Sequence, residues 1–505
     1  MRKLIKILTN RIVLFVFITT AVLVAIALLG LFLNNLTKYF CFVLFFLSAV
    51  CSAEIFCRNT CVEYKIAWLL VLTCLPFVGA LFYALLGRKT VSKKIQERQS
   101  KTKKKLALKL QKNFCPPPTF CTDNTFQKCA TFVQKATGLS ACKTENLRYF
   151  STGESFFFAL KEALLSAKKF VFLEYFIIDN GKMWGEILNI LKEKVKSGVD
   201  VRIVYDDFGS LLTLPRTYPK NLKKFGIAAM RFNPIVPLLD ARLNTRNHKK
   251  LAIVDGKIAF TGGINIADEY INEKERFGHW RDCGVCFTGA AVNNFTISFL
   301  ETWSIKHKTE DISKFLCNPD GCSQQNSYIL PFVDSPKSKE RIFENLLLKL
   351  IYSAKKRIFV SSPYVILNSE LKTAIMSAAL SGVDVAILIP GKPDKKAAYQ
   401  MTKAFCTELL SSGVSIFKYQ NGFNHGKTFV IDDKYSIVGS SNLDLRSFYS
   451  NYECGIFAND INFAKKINKD FLQATKLSKK MKKPEKYGPL KKAFHFVLRI
   501  LAPIM

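Results

Sequence analysis

The sequence has 505 residues, of which 49% are hydrophobic, and its 74 Lys and Arg against 39 Asp and Glu give a formal net charge of +35. This length and apolar content suffice for two lobes of ordinary domain size plus a membrane segment. The positive charge predicts an anionic partner and leaves nucleic acid, acidic lipid and a phosphorylated substrate open.

Three long apolar runs near the N-terminus predict an integral membrane protein. They occupy residues 12–33, 39–57 and 66–86, and Glu54 interrupts the second. Each run is long enough to cross a bilayer as a helix, and together they are too long and too repeated for a cleaved signal peptide. Residues 1–90 are therefore predicted to form a membrane region with two to three transmembrane helices, in a multi-pass protein of the cell membrane.

The basic residues around these runs predict the orientation. Some precede the first run, but a denser cluster at 88–112 follows the third. By the positive-inside rule the larger cluster prevails, so we expect the catalytic part in the cytoplasm. A hairpin of the first two runs, or one run that does not span fully, leaves the number of spans open.

Residues 91–145 are predicted to be a basic juxtamembrane linker. Near an anionic surface each Lys or Arg contributes about 1 kcal/mol, so this stretch is expected to lie on headgroups; a solvated tether is the alternative. The 15 cysteines are odd in number and widely spaced, which argues against a disulfide framework and a zinc site. We expect neither a metal nor another cofactor.

From about residue 147 the chain alternates helical and strand-like segments, and it does so twice. The sequence Ser-Gly-Val-Asp-Val occurs at 197–201 and again at 381–385, each time before an apolar strand. This alternation predicts an α/β protein with two lobes, 146–325 and 326–488. Residues 489–505 are predicted to form a basic amphipathic helix that lies in the membrane interface or packs on the catalytic lobe.

A short motif recurs in both lobes. It reads His-x-Lys-x4-Asp, and its copies comprise His248, Lys250 and Asp255, and His425, Lys427 and Asp432. In a strand, residues i and i+2 point to one side, so each copy presents an imidazole and an ammonium together, which suits a phosphodiester. Each aspartate begins a predicted hairpin turn. Beyond the turns the copies continue at equal offsets with small and amide residues: Gly262, Gly263 and Asn265, and Gly439, Ser440 and Asn442.

These residue types suit attack on a phosphodiester without a metal. The lysines supply fixed positive charge around the nonbridging oxygens, and the amides and Ser440 add hydrogen bonds. One neutral imidazole attacks phosphorus while the other, charged, protonates the departing alcohol. Each histidine needs a carboxylate on its far nitrogen, for which Asp282 and Glu453, downstream of each motif, are the candidates. For Asp255 and Asp432 a structural role at the turn competes with a direct one.

The doubled motif, with the flanks Trp280-Arg281-Asp282 and Asn451-Tyr452-Glu453, resembles the phospholipase D superfamily and, within it, the bacterial cardiolipin synthases. The resemblance runs from about residue 66 to the C-terminus. It implies two α/β lobes related by pseudo-twofold symmetry, with one active site at their seam. It also implies His248 as nucleophile and His425 as acid and base, although the near symmetry of the lobes leaves the reverse open.

The same resemblance implies the reaction. A phosphatidyl group would pass between two phosphatidylglycerol molecules through a phosphohistidine, giving cardiolipin and glycerol. The implied partners are anionic phospholipid and the membrane, with no nucleic acid. Hydrolysis, or another phosphatidyl transfer by the same chemistry, is the alternative. The apolar runs and the intact motifs disfavour a membrane-tethered nuclease and a decayed scaffold. Acceptor specificity and oligomeric state stay open.

Overall fold

The structure is a computed structural model, and it describes most of the chain from residue 36 onward. The described residues are 36–58, 62–87, 123–144, 146–235, 244–307, 311–317, 327–336, 338, 340–482, 488, 489, 495, 498 and 499. The chain divides into two compact units. The first comprises Met1–Thr90, Ile235–Asn244 and Pro503–Met505, and the second comprises Val91–Pro234 and Thr245–Ala502.

The first unit contains helices α1 (Leu36–Cys57), α2 (Val62–Cys74) and α3 (Pro76–Phe82), and a π-helical turn follows at Tyr83–Gly87. The predicted run 66–86 is therefore not one helix. Proline lacks a backbone N–H and clashes with the preceding turn, so α2 ends before Pro76 and a new helix begins there. Among the described residues, no helix combines the length and the apolar character needed to cross a bilayer. The run at 12–33 lies outside those residues.

The first half of the second unit forms a seven-stranded sheet in the order β2-β10-β8-β7-β3-β4-β5. Its strands are β2 (Leu147–Phe150), β3 (Phe170–Tyr175), β4 (Asp200–Asp206), β5 (Ala228–Phe232), β7 (Lys250–Val254), β8 (Ile258–Gly262) and β10 (Gly284–Thr288). The helices of this half are α5 (Gly153–Ser166), α6 (Lys182–Lys196), α7 (Tyr218–Lys223) and α8 (Val292–Trp303). Strands β3, β4 and β5 are parallel, and the His248 motif starts the antiparallel hairpin β7-β8.

The second half repeats this arrangement in a larger sheet. Its main path is β1-β11-β20-β18-β17-β12-β14-β15-β21. The strands are β1 (Cys142–Lys143), β11 (Tyr328–Asp334), β12 (Arg357–Ser361), β14 (Asp384–Pro390), β15 (Ser415–Tyr419), β17 (Thr428–Ile431), β18 (Tyr435–Gly439), β20 (Asn451–Asn459) and β21 (Ser478–Lys480). The helices are α9 (Ile342–Ser353), α10 (Ser369–Leu380), α11 (Lys396–Leu410), α12 (Leu445–Tyr449) and α13 (Ile461–Lys476). Parallel β12-β14-β15 and the hairpin β17-β18 match β3-β4-β5 and β7-β8, which confirms the predicted α/β class.

The repeated Ser-Gly-Val-Asp-Val has the same function in both halves. Gly198 and Gly382 have φ of +83° and +92°, a left-handed conformation that glycine adopts without strain and that ends helices α6 and α10. The following residues then enter parallel strands β4 and β14. The duplication in sequence is therefore a duplication of a helix-to-strand turn.

Two parts of the chain make contacts that cross the predicted domain boundaries. Strand β1 and the helix before it, α4 (Asn124–Thr137), fall within the stretch predicted as linker, yet β1 pairs with β11. Phe126 of α4 packs its ring 5.1 Å from that of Phe457 in β20. Helix α8 is buried along nearly its whole length and contacts β3, β7 and β8 of one sheet and β11 of the other. The two halves thus share one apolar core.

Candidate functional site

Short strand pairings between the halves carry the two motifs to one place. Strand β6 (Arg246–Asn247) pairs in parallel with the start of β20, and β16 (Gly422–Asn424) pairs in parallel with β9 (His279–Arg281). The backbone N–H groups of the two histidines extend these pairings. His248 donates to the Tyr452 carbonyl at 2.9 Å, and His425 donates to the Arg281 carbonyl at 2.7 Å. Each histidine is therefore bonded to the residue just before a buried carboxylate of the other half: Tyr452 precedes Glu453, and Arg281 precedes Asp282.

Each imidazole is held by a carboxylate from the opposite half. Nδ1 of His248 lies 3.0 Å from both carboxylate oxygens of Glu453, and Nδ1 of His425 lies 2.6 Å from Oδ2 of Asp282. Both carboxylates are fully buried. The prediction that Asp282 and Glu453 orient the histidines agrees with these contacts, but the exchange between halves was not foreseen. Each half contains the orienting group of the other half's histidine.

The two motif lysines lie buried beside the histidines. The ammonium of Lys250 donates to the His248 carbonyl at 2.7 Å, and that of Lys427 donates to the His425 carbonyl at 2.6 Å. Burial lowers the pKa of Lys250 to about 7, against the opposing effect of Glu453. Burial also lowers the pKa of Lys427. A bound anion would raise both pKa values again, so it would favour the charged form of the two lysines.

Both histidines are neutral at pH 7. Burial lowers the pKa of His248 to about 4 and, reinforced by Lys427, that of His425 to about 3. Burial alone would raise the pKa of Glu453, but His248, Lys250 and a hydrogen bond from Ser440 outweigh it and hold the pKa at about 2. An ionised carboxylate only accepts hydrogen bonds, so Nδ1 of His248 carries the proton. Its Nε2 then has a free lone pair, as a nucleophile requires.

Aromatic side chains enclose the imidazoles. The Phe176 ring lies 5.1 Å from His248, and Tyr270 and Trp280 lie 5.4 Å and 5.2 Å from His425. These rings limit water around the histidines and contribute to the burial that keeps them uncharged. Trp280 belongs to the Trp280-Arg281-Asp282 flank noted in the sequence, whereas no pattern singled out Phe176 or Tyr270, which lie far apart along the chain.

The predicted support residues mostly hold the protein rather than face a ligand. Ser440 donates its hydroxyl hydrogen bond to Glu453. Asn265 accepts from the Ile177 N–H at 3.1 Å and donates to the Tyr270 hydroxyl at 2.6 Å, so both ends of its amide are occupied. These bonds within the protein fit a support role for Ser440 and Asn265, and phosphate binding by either residue stays a prediction.

Gly263 and Asn442 differ from these two. A Cβ at Gly263 would lie 2.1 Å from Oδ1 of Asp282, so only glycine lets that carboxylate approach. Asn442 donates weakly to Asp444 at 3.3 Å, and its buried Oδ1 has no hydrogen-bond partner among the described residues. Gly263 thus makes room for a carboxylate, and Asn442 is the predicted amide with an unused polar atom.

The motif aspartates anchor turns. Oδ1 and Oδ2 of Asp255 accept three backbone N–H bonds of 2.7–2.9 Å from residues 168–170. Asp432 accepts three of 2.7–3.0 Å from residues 355–357. A strand rises about 3.3 Å per residue, so Asp255 lies roughly 20 Å from His248, at the other end of β7. These contacts support the structural alternative raised for both residues, and a direct catalytic role for them stays a prediction.

The side chains behind the two histidines differ. Lys249 is 1% exposed and pairs with buried Glu174 at 2.8 Å, and Asn247 donates to the same carboxylate at 2.6 Å. At the equivalent place in the second half stands Gly426. A Cβ there would lie 3.3 Å from Nη1 of Arg281. The cation next to the His425 motif is thus Arg281, which belongs to the first half. The cation next to His248 is Lys249, which belongs to the same motif as His248.

No cluster of His, Cys, Asp and Glu side chains in the described part of the chain has the arrangement of a metal site.

Comparison with known proteins agrees with this geometry. The sequence matches the family described as cardiolipin synthase, PLD-like domain, at residues 160–276 and 347–475, and the family described as phospholipase D-nuclease N-terminal at residues 43–88. It is 36% identical over 452 residues to an uncharacterized protein of Streptococcus mutans, covering 87% of this chain and 96% of that protein. It is 34% identical over 453 residues to a cardiolipin synthase of Listeria monocytogenes, covering 87% of this chain and 93% of that protein.

Among solved structures, phosphatidylserine synthase of Haemophilus influenzae shares the fold. The TM-score is 0.58 at 15% identity, and the match covers 75% of this chain and all of that one.

The anchoring role predicts that Asp255→Asn and Asp432→Asn reduce stability and leave the site intact. Asparagine tolerates the left-handed backbone seen at both positions, φ +53° and +55°, but lacks the charge that strengthens the three N–H bonds. We expect each variant to lose about 1.5–3 kcal/mol of unfolding free energy. Denaturant unfolding in detergent, with activity normalised to folded protein, measures both. Normal stability with lost activity would restore a catalytic role.

The exchanged carboxylates predict a specific pattern of energetic coupling. In double-mutant cycles of unfolding free energy, His248→Gln with Glu453→Gln, and His425→Gln with Asp282→Asn, should couple by about 1–3 kcal/mol. Coupling should be smaller for the same-half combinations, His248 with Asp282 and His425 with Glu453. Stronger same-half coupling would contradict the crossed arrangement.

Buried neutral histidines predict a stability loss on acidification. Their folded pKa values, about 4 and about 3, lie below the ordinary 6.5, so the unfolded chain binds more protons than the folded one between these values. Stability therefore rises with pH across that window and falls as pH drops from about 6.5 toward 4. Thermal unfolding should show a shallower fall for the His248→Gln/His425→Gln variant. Equal slopes for variant and wild type would exclude this explanation.

Proposed function

Because the chain belongs to the cardiolipin synthase family of phospholipase D-like proteins, we propose that it transfers a phosphatidyl group from one phosphatidylglycerol to another. The products are cardiolipin and glycerol. The observation that carries this proposal is the pair of neutral imidazoles, each fixed through Nδ1 by a carboxylate and each beside a buried ammonium. That arrangement provides a nucleophile, a proton carrier and charge for a phosphodiester in one place.

In the first half-reaction, Nε2 of His248 attacks phosphorus and the P–O bond to glycerol breaks. His425 protonates the departing oxygen, and Lys250 and Lys427 stabilise the charge on the nonbridging oxygens. His425 must be protonated for this step. The anionic substrate favours that state, because a nearby negative charge raises the pKa of an imidazole.

In the second half-reaction, His425 takes the proton from the terminal hydroxyl of a second phosphatidylglycerol. That oxygen attacks phosphorus, the N–P bond breaks, and His248 is released in its original state. One phosphodiester replaces another, so the exchange is close to balanced in energy and needs no nucleotide. The near symmetry of the site supports the reverse assignment of the histidines almost as well, and mutagenesis must decide between them.

We further propose that the first unit attaches the protein to the cell membrane, with the catalytic unit in the cytoplasm. Helix α1 exposes large apolar side chains along much of its length: Tyr39, Phe42, Phe45, Phe46, Val50 and Phe56. Contiguous exposed apolar surface of this kind is rare on soluble monomers and is typical of membrane contact. The basic cluster at 88–112 supports the orientation through the positive-inside rule.

Product analysis tests the reaction. Purified enzyme in detergent, given labelled phosphatidylglycerol as its only lipid, should form cardiolipin and glycerol in equal amounts. His248→Ala and His425→Ala should each abolish turnover, because each removes one partner of the proton and phosphoryl exchange. Phosphatidic acid as the sole product would replace the transferase with a hydrolase, and an inert lipid would overturn the proposal.

Trapping the covalent intermediate assigns the histidines. Enzyme denatured in mildly alkaline detergent, which preserves the acid-labile N–P bond, should carry a labelled phosphatidyl group on His248, and His248→Ala should carry none. His425→Ala should form and resolve the adduct slowly. Asp255→Asn serves as the control for stability loss, because it leaves both histidines in place. An adduct that survives His248→Ala and vanishes in His425→Ala would reverse the two roles.

A further inference from the structure

A segment beside the site combines exposed apolar side chains with positive charge. We call residues 208–225 the rim segment. Leu212 is 97% exposed, and Phe208 and Phe225 are 54% and 46% exposed. The segment contains no acidic residue, and its basic side chains are all exposed: Arg216, Lys220, Lys223 and Lys224. Apolar and basic residues mixed in this way are typical of segments that lie in an anionic membrane interface.

The exposure of Leu212 is built into a well-ordered loop. Oδ1 of buried Asp206 accepts the N–H groups of Phe208 and Gly209 at 2.9 Å and 3.2 Å. The Thr213 hydroxyl donates to the Ile178 carbonyl at 2.7 Å. These bonds fix the backbone on both sides of Leu212. Its side chain therefore stands in water because the loop holds it there, although burying it would lower the free energy.

The rim segment adjoins the catalytic histidine. A Cβ at Gly209 would lie 2.2 Å from the Phe176 carbonyl oxygen, so the two backbones are in contact, and the Phe176 ring lies 5.1 Å from His248. The Arg246 guanidinium, two residues before His248, lies 5.2 Å from the centre of the Phe208 ring. The start of the rim segment, Phe208 and Gly209, thus contacts residues next to the site.

We propose that the rim segment inserts Phe208 and Leu212 into the surface of an anionic bilayer, beside the site that contains His248. The basic residues bind headgroups while the apolar side chains enter the acyl region. The inference rests on the proposed lipid substrate for its purpose, but the contact itself is independent of the reaction. The most exposed apolar side chain of the segment, Leu212, is aliphatic and lies among basic residues, a combination that fits acyl chains beneath anionic headgroups and favours lipid as the occupant.

Fluorescence quenching tests the contact directly. Full-length protein with Leu212→Trp is reconstituted into phosphatidylglycerol-containing vesicles whose acyl chains carry bromine, which quenches indole on contact. The matched control is Leu165→Trp. Leu165 is 58% exposed and precedes β3, whereas the rim segment follows β4, and these parallel strands place the two positions at opposite edges of one sheet. The signal of the four native tryptophans is subtracted using wild type.

Leu212→Trp should lose substantially more of its added fluorescence than Leu165→Trp. Equal quenching of the two variants, or none at position 212, would overturn the inference. A protein that makes no cardiolipin but quenches at position 212 refutes the proposed reaction alone. A protein that makes cardiolipin without such quenching refutes only the membrane contact.

A kinetic readout separates surface binding from folding. Leu212→Glu should lower the ratio of turnover on vesicle lipid to turnover on water-soluble short-chain phosphatidylglycerol by about tenfold, which corresponds to roughly 1.4 kcal/mol. Leu165→Glu should leave this ratio unchanged. A ratio for Leu212→Glu equal to that of wild type would contradict the insertion of this side chain.

Discussion

The exchange of carboxylates between the halves is the constraint on which the site depends. His248 is oriented by Glu453 and His425 by Asp282, so neither half has a complete histidine pair of its own. A buried carboxylate without its partners costs several kcal/mol. The parallel pairings β6·β20 and β9·β16 and the core shared by both sheets hold these partners in register. Duplication has therefore produced one site, and the halves need each other electrostatically as well as sterically.

The buried cluster places acidic groups beside basic ones. Glu453 and Asp282 both act on Lys250, raising its pKa against the burial that lowers it. Such a cluster tolerates burial only because each group has a partner. Ser440 adds a hydrogen bond to Glu453, and Gly263 gives Asp282 room to approach His425. The residues after each hairpin therefore control the geometry of the carboxylates, which in turn controls the histidines.

Local patterns predicted the elements well. The i, i+2 spacing of His and Lys, the hairpins that follow, and the repeated turns at Gly198 and Gly382 all depend on neighbours in sequence, and all are present. The crossed pairing of the carboxylates depends on contacts between residues some 140 to 200 positions apart, which no local pattern encodes. For the same reason the sequence could not show that Ile177 and Tyr270 occupy both ends of the Asn265 amide, which was predicted to bind phosphate or support the site. In the N-terminal region the apolar content suggested a continuous span, whereas Pro76 breaks it for a reason visible in the sequence itself.

Two identical imidazoles can divide one reaction only if their surroundings differ. Behind His248 lies an ion pair within the first half, Lys249 with Glu174. Behind His425, Gly426 leaves space that Arg281 fills, and Arg281 is itself held by Asp470 at 2.5 Å. The two histidines therefore have different buried cations nearby: Lys249, paired with Glu174, and Arg281, paired with Asp470. A bound anionic phosphodiester raises the pKa of the basic groups that it faces. We propose that this asymmetry behind the motifs, rather than the motifs themselves, decides which histidine acts as nucleophile and which as acid.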